Sequence, residues 1–195
     1  MSMRLPAAER REPLLSVAMA VFAREGYHQT SMNDVAEAAG ITKPVLYQHF
    51  SSKRELYLAL IEEAGARLLT AITDPRIAAT EGRKRTELGF IAYFQWVHDD
   101  NDAFQLLFGG GSRRDPEFSE AAGKFTSMIA DVIEPLITAD IDAEHRRTLA
   151  HAIVGLSEGV SRRLLRLGGE FDPELIARQV GDLAWAGLRA AQRSR

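Results

Sequence analysis

The chain has no cysteine, which removes disulfides, thiolate nucleophiles and cysteine-ligated zinc and agrees with a reducing compartment. No apolar run approaches the roughly 18 residues that span a bilayer, and the opening MSMRLPAAERREP lacks the apolar stretch of a secretory signal. The expected location is the cytoplasm, with no membrane partner. Alternation with a period of two, bounded by turn residues, is also scarce, so strands are not expected. No serine sits in a G-x-S-x-G setting, and His145 and His151 are six apart, the wrong spacing for a helical metal pair. No cofactor is expected.

What is present is apolar residues at helical spacing along nearly the whole chain. With 195 residues and 46% hydrophobic content, the chain can bury one large core or two unequal ones. The net charge of -3 is unevenly spread. Residues 1–56 hold seven Lys and Arg against six Asp and Glu, while the remainder holds 17 against 21. The first part is therefore the better partner for a polyanion.

The pattern predicts an all-α protein of about nine helices, divided into an N-terminal helix-turn-helix domain (1–56) and a C-terminal helical domain (57–195). The first helix runs over about Glu9 to Glu25, buries Leu14, Leu15, Ala18, Val21 and Phe22, and stops at Gly26 in left-handed geometry. Ser31 caps a two-turn second helix, with Asp34 near its positive end. Gly40 turns the chain, and Thr42 caps a short third helix with Lys43 and Pro44 in its first turn. Ser51 or Ser52 caps the fourth, interrupted at Asp74-Pro75. Further helices cover about 80–99 and 101–108. Asp115-Pro116-Glu117, Asp142 and Asp172-Pro173-Glu174 start the rest, and Pro135 ends or kinks the first of these.

Two short helices around Ala39-Gly40-Ile41, with Val35 and Ile41 facing inward, have the layout of a helix-turn-helix. The second would enter the major groove of double-stranded DNA. Lys43 sits where base edges are approached, Thr42 and Tyr47 can donate to phosphates, and His49 and Lys53 add donor or positive contacts along the backbone. Pro44 and Val45 suit thymine methyl groups, and Gln48 suits adenine. Ser31, Ser51 and Ser52 stand beside helix N-termini whose unpaired amides can bind phosphate. On spacing alone the same features fit a small helical core, to which Phe50 is assigned.

Four motifs sharpen this reading: F-x-x-x-G-Y (Phe22–Tyr27), T-S-x-x-D-V-A (Thr30–Ala36), G-I-T-x-x-x-L-Y-x-H-F (Gly40–Phe50) and S-K-R-E-L (Ser52–Leu56). Over about residues 10–57 the chain resembles the tetracycline-repressor (TetR) family of transcriptional regulators. The resemblance implies that Thr42, Lys43, Pro44, Val45, Tyr47, Gln48 and His49 form the recognition helix. It implies too that Ser31 and Asn33 begin the supporting helix and that Lys53 holds a phosphate. Sequence preference would then rest on Lys43, Pro44, Val45, Gln48 and Asn33. The remaining residues resemble the family only in helix number and length.

A single helix-turn-helix rarely binds tightly enough, so a homodimer on an inverted-repeat operator is expected. The last two helices carry stripes that fit a dimer interface or an intrachain core: Ile153, Leu156, Val160 and Leu164 on one, Val180, Leu183 and Gly187 on the other. The resemblance favours the interface. A ligand pocket is expected among Phe90, Tyr93, Phe94, Trp96, Phe104, Leu107, Phe108, Phe125, Met128 and Ile129, for a hydrophobic or amphipathic effector such as an acyl-CoA or a fatty acid. The Gly109–Arg114 loop is either a site for an anionic head group or a solvated turn. The expected activity is that of a ligand-released regulator, a repressor, and not of an enzyme. Two rivals remain: a helical metal-dependent phosphohydrolase using the adjacent His98-Asp99 pair, and a helical protein-interaction module.

Overall fold

Helical periodicity carries through to three dimensions. The computed structural model describes residues 7–109, 115–168 and 170–191. Among them are ten α-helices, one 3-10 turn and no strand: α1 (Ala7–Gln29), α2 (Met32–Ala38), α3 (Lys43–His49), α4 (Lys53–Ile72), α5 (Pro75–Ala78), α6 (Gly82–Asp99), α7 (Asn101–Phe108), α8 (Pro116–Ile133), the 3-10 turn Glu134–Leu136, α9 (Ala143–Arg166) and α10 (Pro173–Ala191). The nine expected helices are all there. The tenth, α5, is a single turn, where Asp74 does more than interrupt: its carboxylate accepts from the Arg76 amide at 2.8 Å and starts a new helix.

Helix starts follow the capping rules residue by residue. Ser31 Oγ accepts from the Asp34 amide at 3.3 Å while Asp34 Oδ2 accepts from the Ser31 amide at 2.7 Å, a reciprocal capping box. Ser52 rather than Ser51 caps α4, its Oγ accepting from the Glu55 amide at 3.1 Å. Asp115, Asp142 and Asp172 each accept from amides of the first turn that follows. Pro135 ends α8 by diverting the chain into the 3-10 turn. At Gly26 the backbone differs from expectation. Its φ of 79° is positive, but its ψ of 161° is extended rather than left-handed helical. This combination is open to glycine alone, and the chain makes one further turn to Gln29.

The contacts divide the chain into two units. The first comprises Met1–Gly65 and Asp102–Ala122, the second Ala66–Asn101 and Gly123–Arg195. The first unit's core is built from Leu14, Leu15, Ala18, Met19 and Phe22 of α1, Val35 of α2, Leu46 of α3, and Leu56, Leu60 and Ile61 of α4, all buried. Tyr27, Tyr57 and Phe118 join Phe22 in an aromatic cluster with ring centroids 4.6–6.4 Å apart. In the second unit α6 lies along α10, with Phe90 Cδ2 only 3.6 Å from where a side chain on Gly181 would begin, and α9 packs beside them.

Candidate nucleic-acid interface and effector cavity

The turn between α2 and α3 is closed by a Schellman pair, the Gly40 amide donating to Glu37 O and the Ile41 amide to Ala36 O, each at 3.0 Å. Gly40 takes φ 64°, which an L side chain rarely adopts. Leu46 and Phe50 are buried and fix the inner side of α3. Its other side is left to solvent: Thr42, Lys43, Pro44, Tyr47 and Gln48 are exposed, and Val45 and His49 are half-buried. Lys43 and Tyr47, one turn apart, share a face, with Nζ 6.0 Å from the ring centroid. Ser31 and Asn33, at the start of α2, are exposed as well.

Two basic residues at the start of α4 are engaged internally. Lys53 Nζ donates to Thr30 O at 2.5 Å and lies 4.4 Å from the Tyr27 ring centroid, so it holds the turn that follows Gly26. Burial pushes its ammonium group below the ordinary lysine range, against the pull of Asp34. This is a structural use that its expected role on phosphate did not include. Arg54 grips Asp115 through two parallel bonds, at 3.0 and 2.9 Å, and also pairs with Glu117. The guanidinium holds the Asp115 carboxyl below its usual range. Sequence reasoning missed this clamp, since nothing in a linear pattern pairs positions 54 and 115.

The second unit contains a cavity of about 120 Å³. One face of α6 lines it through Gly82, Arg85, Thr86, Gly89, Phe90 and Tyr93, opposite Ile129, Val132 and Ile133 of α8. Ile153, Val154 and Ser157 of α9 and Trp185 and Leu188 of α10 complete most of the wall. Of the ten expected pocket residues, Phe90, Tyr93 and Ile129 line this cavity. Phe94 and Trp96 are buried outside this lining, and Phe94, one position past Tyr93, is turned about 100° from it around the helix axis. Phe104, Leu107 and Phe108 are buried in the first unit, and Phe125 and Met128 lie outside the lining, Met128 exposed. The wall is mainly aliphatic, and the signal available in the sequence was the Ile129, Val132, Ile133, Leu136 spacing together with the small residues Gly82 and Gly89 on one face of α6.

The expected interface residues also separate. Leu183 and Gly187 are exposed and Leu156 and Val160 are half-buried, whereas Leu164 and Val180 are covered within the protomer and Ile153 faces the cavity. Leu167 and Leu175 are exposed beside them in sequence. Side chains added at Gly155, Gly159 or Gly187 would meet only open space, so packing within the chain does not require these glycines.

His98 and Asp99 form a surface pair at 2.9 Å, with Gln95 donating to the same carboxylate and Phe171 edge-on to the imidazole. Among the described residues no group of three or more His, Cys, Asp or Glu gathers as metal ligands, and no helix is long and apolar enough to cross a membrane. In the Gly109–Arg114 loop, residues 110–114 lie outside the described residues; Gly109 is fixed by its backbone, since a side chain there would collide with Gln105 O at 2.2 Å.

The family profile "Bacterial regulatory proteins, tetR family" matches residues 14–60. The HTH-type transcriptional activator FasR of Mycolicibacterium smegmatis is 33% identical over 187 residues, covering 95% of this chain and 85% of FasR. A TetR-like regulator from Rhodococcus sp. RHA1 superposes with a TM-score of 0.79 at 27% identity, covering 95% of this chain and 99% of that one. The regulator FadR from Bacillus subtilis, in complex with stearoyl-CoA, has the same fold, with a TM-score of 0.78, 16% identity and coverage of 90% and 98%.

Proposed function

The chain belongs to the TetR family of DNA-binding transcriptional regulators, which are not enzymes, and from that premise we propose that it is a homodimer that binds an inverted-repeat operator and responds to an apolar or amphipathic acyl effector. The observation that carries the DNA reading is α3 itself: Leu46 and Phe50 anchor it while Lys43, Pro44, Tyr47 and Gln48 stand free in solvent. Lys43, Pro44, Val45, Gln48 and Asn33 read bases, while Ser31, Thr42, Tyr47 and His49 fix the register on phosphates. Lys53 acts first through the turn it holds.

Homodimerisation is supported by the outer faces of α9 and α10. A glycine inside a helix costs about 1 kcal/mol relative to alanine, yet Gly155, Gly159 and Gly187 meet no neighbour in their own chain. A second copy approaching closely, with Leu183 and Leu175 buried against it, accounts for both the glycines and the exposed leucines.

The effector reading is supported by the apolar cavity of the second unit. Its volume of about 120 Å³ is below the several hundred Å³ usual for drug-sized ligands, so the wall opens as a long chain enters. An acyl-CoA occupies FadR from B. subtilis, and an acyl chain suits the aliphatic lining here. Helix α4 begins at Lys53, next to the helix-turn-helix, and ends at Ile72 in the cavity wall, so Leu60 and Ala64 move when ligand binds. A ligand that prefers the DNA-free geometry about 100-fold lowers operator affinity by the same factor, roughly 2.7 kcal/mol. Whether release silences or activates a gene depends on where the operator lies. FasR is named an activator, and the same release chemistry serves a repressor. The cytoplasm, where the operator is, completes the reading.

The test selects bound duplexes from a random library, measures affinity for the recovered operator across a salt series, and repeats the titration with acyl ligands. A palindromic consensus, a steep loss with salt and release by ligand are expected. An effector that binds free and operator-bound protein equally removes the coupling, and absence of any preferred duplex removes the DNA reading.

A further inference from the structure

The lining of the cavity includes one charged side chain. Arg85 of α6 is half-buried there, and two backbone carbonyls set the plane of its guanidinium: Nε donates to Thr80 O at 2.6 Å and Nη1 to Leu136 O at 3.4 Å. Leu136 is itself a wall residue, so the guanidinium lies at the lining and not behind it. The two carbonyls engage two of five N–H donors and neutralise none of the charge. Among the described residues no carboxylate pairs with Arg85. Glu134, on the same 3-10 turn as Leu136, is taken by Arg147 at 3.5 Å, and Glu81, at the N-cap of α6, is exposed. Thr138, two residues past the carbonyl that Arg85 holds, lines the cavity and is exposed, so this part of the wall meets solvent. Phe90, roughly 7.5 Å further along α6, is buried, as are Ile129 and Val154 elsewhere in the wall. A cation where the wall meets solvent, beside an apolar interior, makes an amphipathic enclosure.

Resting on the reading of this cavity as the effector site, we propose that Arg85 recognises an oxyanion on the effector: the ligand is an amphiphile whose apolar chain fills the cavity and whose anionic group pairs with the remaining N–H donors of the guanidinium. An ion pair sheltered from bulk water is stronger than one on the open surface. A neutral head group in the same place leaves the cation uncompensated. The carboxylate of a free acid and a phosphate of a carrier such as coenzyme A both supply that oxyanion, and the two sources separate experimentally.

The experiment uses the full-length chain and three probes of one alkyl length: decanoate, decanoyl-coenzyme A and 1-decanol. Calorimetric titration should show the native protein binding at least one of the two anionic probes about ten-fold more tightly than the alcohol, and Arg85→Gln should erase that difference. Loss of the difference on decanoate identifies the free acid; loss on decanoyl-coenzyme A identifies the carrier phosphate. Where Arg85→Gln fails to fold, Arg85→Met, which crosses the apolar wall with a long uncharged side chain, carries the same comparison and the same expected loss. An anion preference that survives in the variant would overturn the assignment. An equal loss of all three probes would overturn it too, leaving Arg85 as a structural tie between Thr80 and Leu136. Equal native affinity for all three, weakened by Gly89→Leu, would overturn the assignment while leaving the effector site in place. Failure of the native protein to bind any of the three would remove the effector reading along with it.

Discussion

The two units solve different problems with different residues. In the first, nearly every turn is specified by a polar side chain bonded to a named backbone group: Ser31 with Asp34, Ser52 with Glu55, Lys53 with Thr30. In the second, the cavity is bounded mainly by aliphatic groups, and several glycines face open space. The first unit must hold one short helix at a fixed attitude, and fixed attitude needs directional bonds. The second must admit a ligand, and admission needs a wall that can give.

The largest effect that tests this contrast is in the first unit. Leu46→Ala should cost about 3 kcal/mol of stability in that unit and abolish operator binding, read by thermal unfolding and fluorescence anisotropy, while leaving acyl binding unchanged. Loss of acyl binding as well would mean that the two units do not behave separately. Next, Leu183→Glu should place a charge in the dimer face and weaken operator binding about 100-fold, roughly 2.7 kcal/mol; analytical ultracentrifugation should report a monomer. A dimer that persists would move the interface elsewhere.

Smaller still, Gly89→Leu should fill part of the cavity and weaken acyl binding about ten-fold with operator affinity unchanged, since Gly89 faces open space within the wall. Ser31→Ala should cost about 1 kcal/mol through loss of the cap, without effect on the second unit. The smallest effect is on pH. Hydrogen bonds from Ser31, Ser51 and Arg54 hold Asp34, Glu55 and Asp115 respectively below their ordinary values. Carboxylates depressed on folding contribute stability that is full above the unfolded pKa and fades as pH falls through the folded one. Stability should therefore be flat in these groups from neutrality to about pH 5 and decline below about pH 4, and Asp115→Asn should reduce the decline.

The same contrast governs what could be read from the chain of letters. Ser31, Gly40, Leu46 and Phe50 were legible because capping, positive φ and helix periodicity act over a few residues. The cavity was not, because the size of an aromatic or flexible side chain does not say which face of its helix it occupies. Phe94 and Tyr93 are adjacent in sequence, yet only Tyr93 faces the lumen, and a single residue's rotation of about 100° decides it. Leu164 and Val180 show the same limit: an apolar stripe has an inner and an outer edge, and only packing tells which is which. The Arg54–Asp115 clamp was out of reach because its partners are 61 residues apart.

That clamp also bears on how such a regulator can be rebuilt. Anyone grafting this reader onto a different sensor would cut near residue 65, and the transplanted piece would leave Asp115, Glu117 and Phe118 behind. Arg54 would then arrive without its carboxylates, and Tyr57 without one of the three rings it packs against. The exchangeable module is a discontinuous one, and a working hybrid has to carry residues 102–122 along with the N-terminal segment.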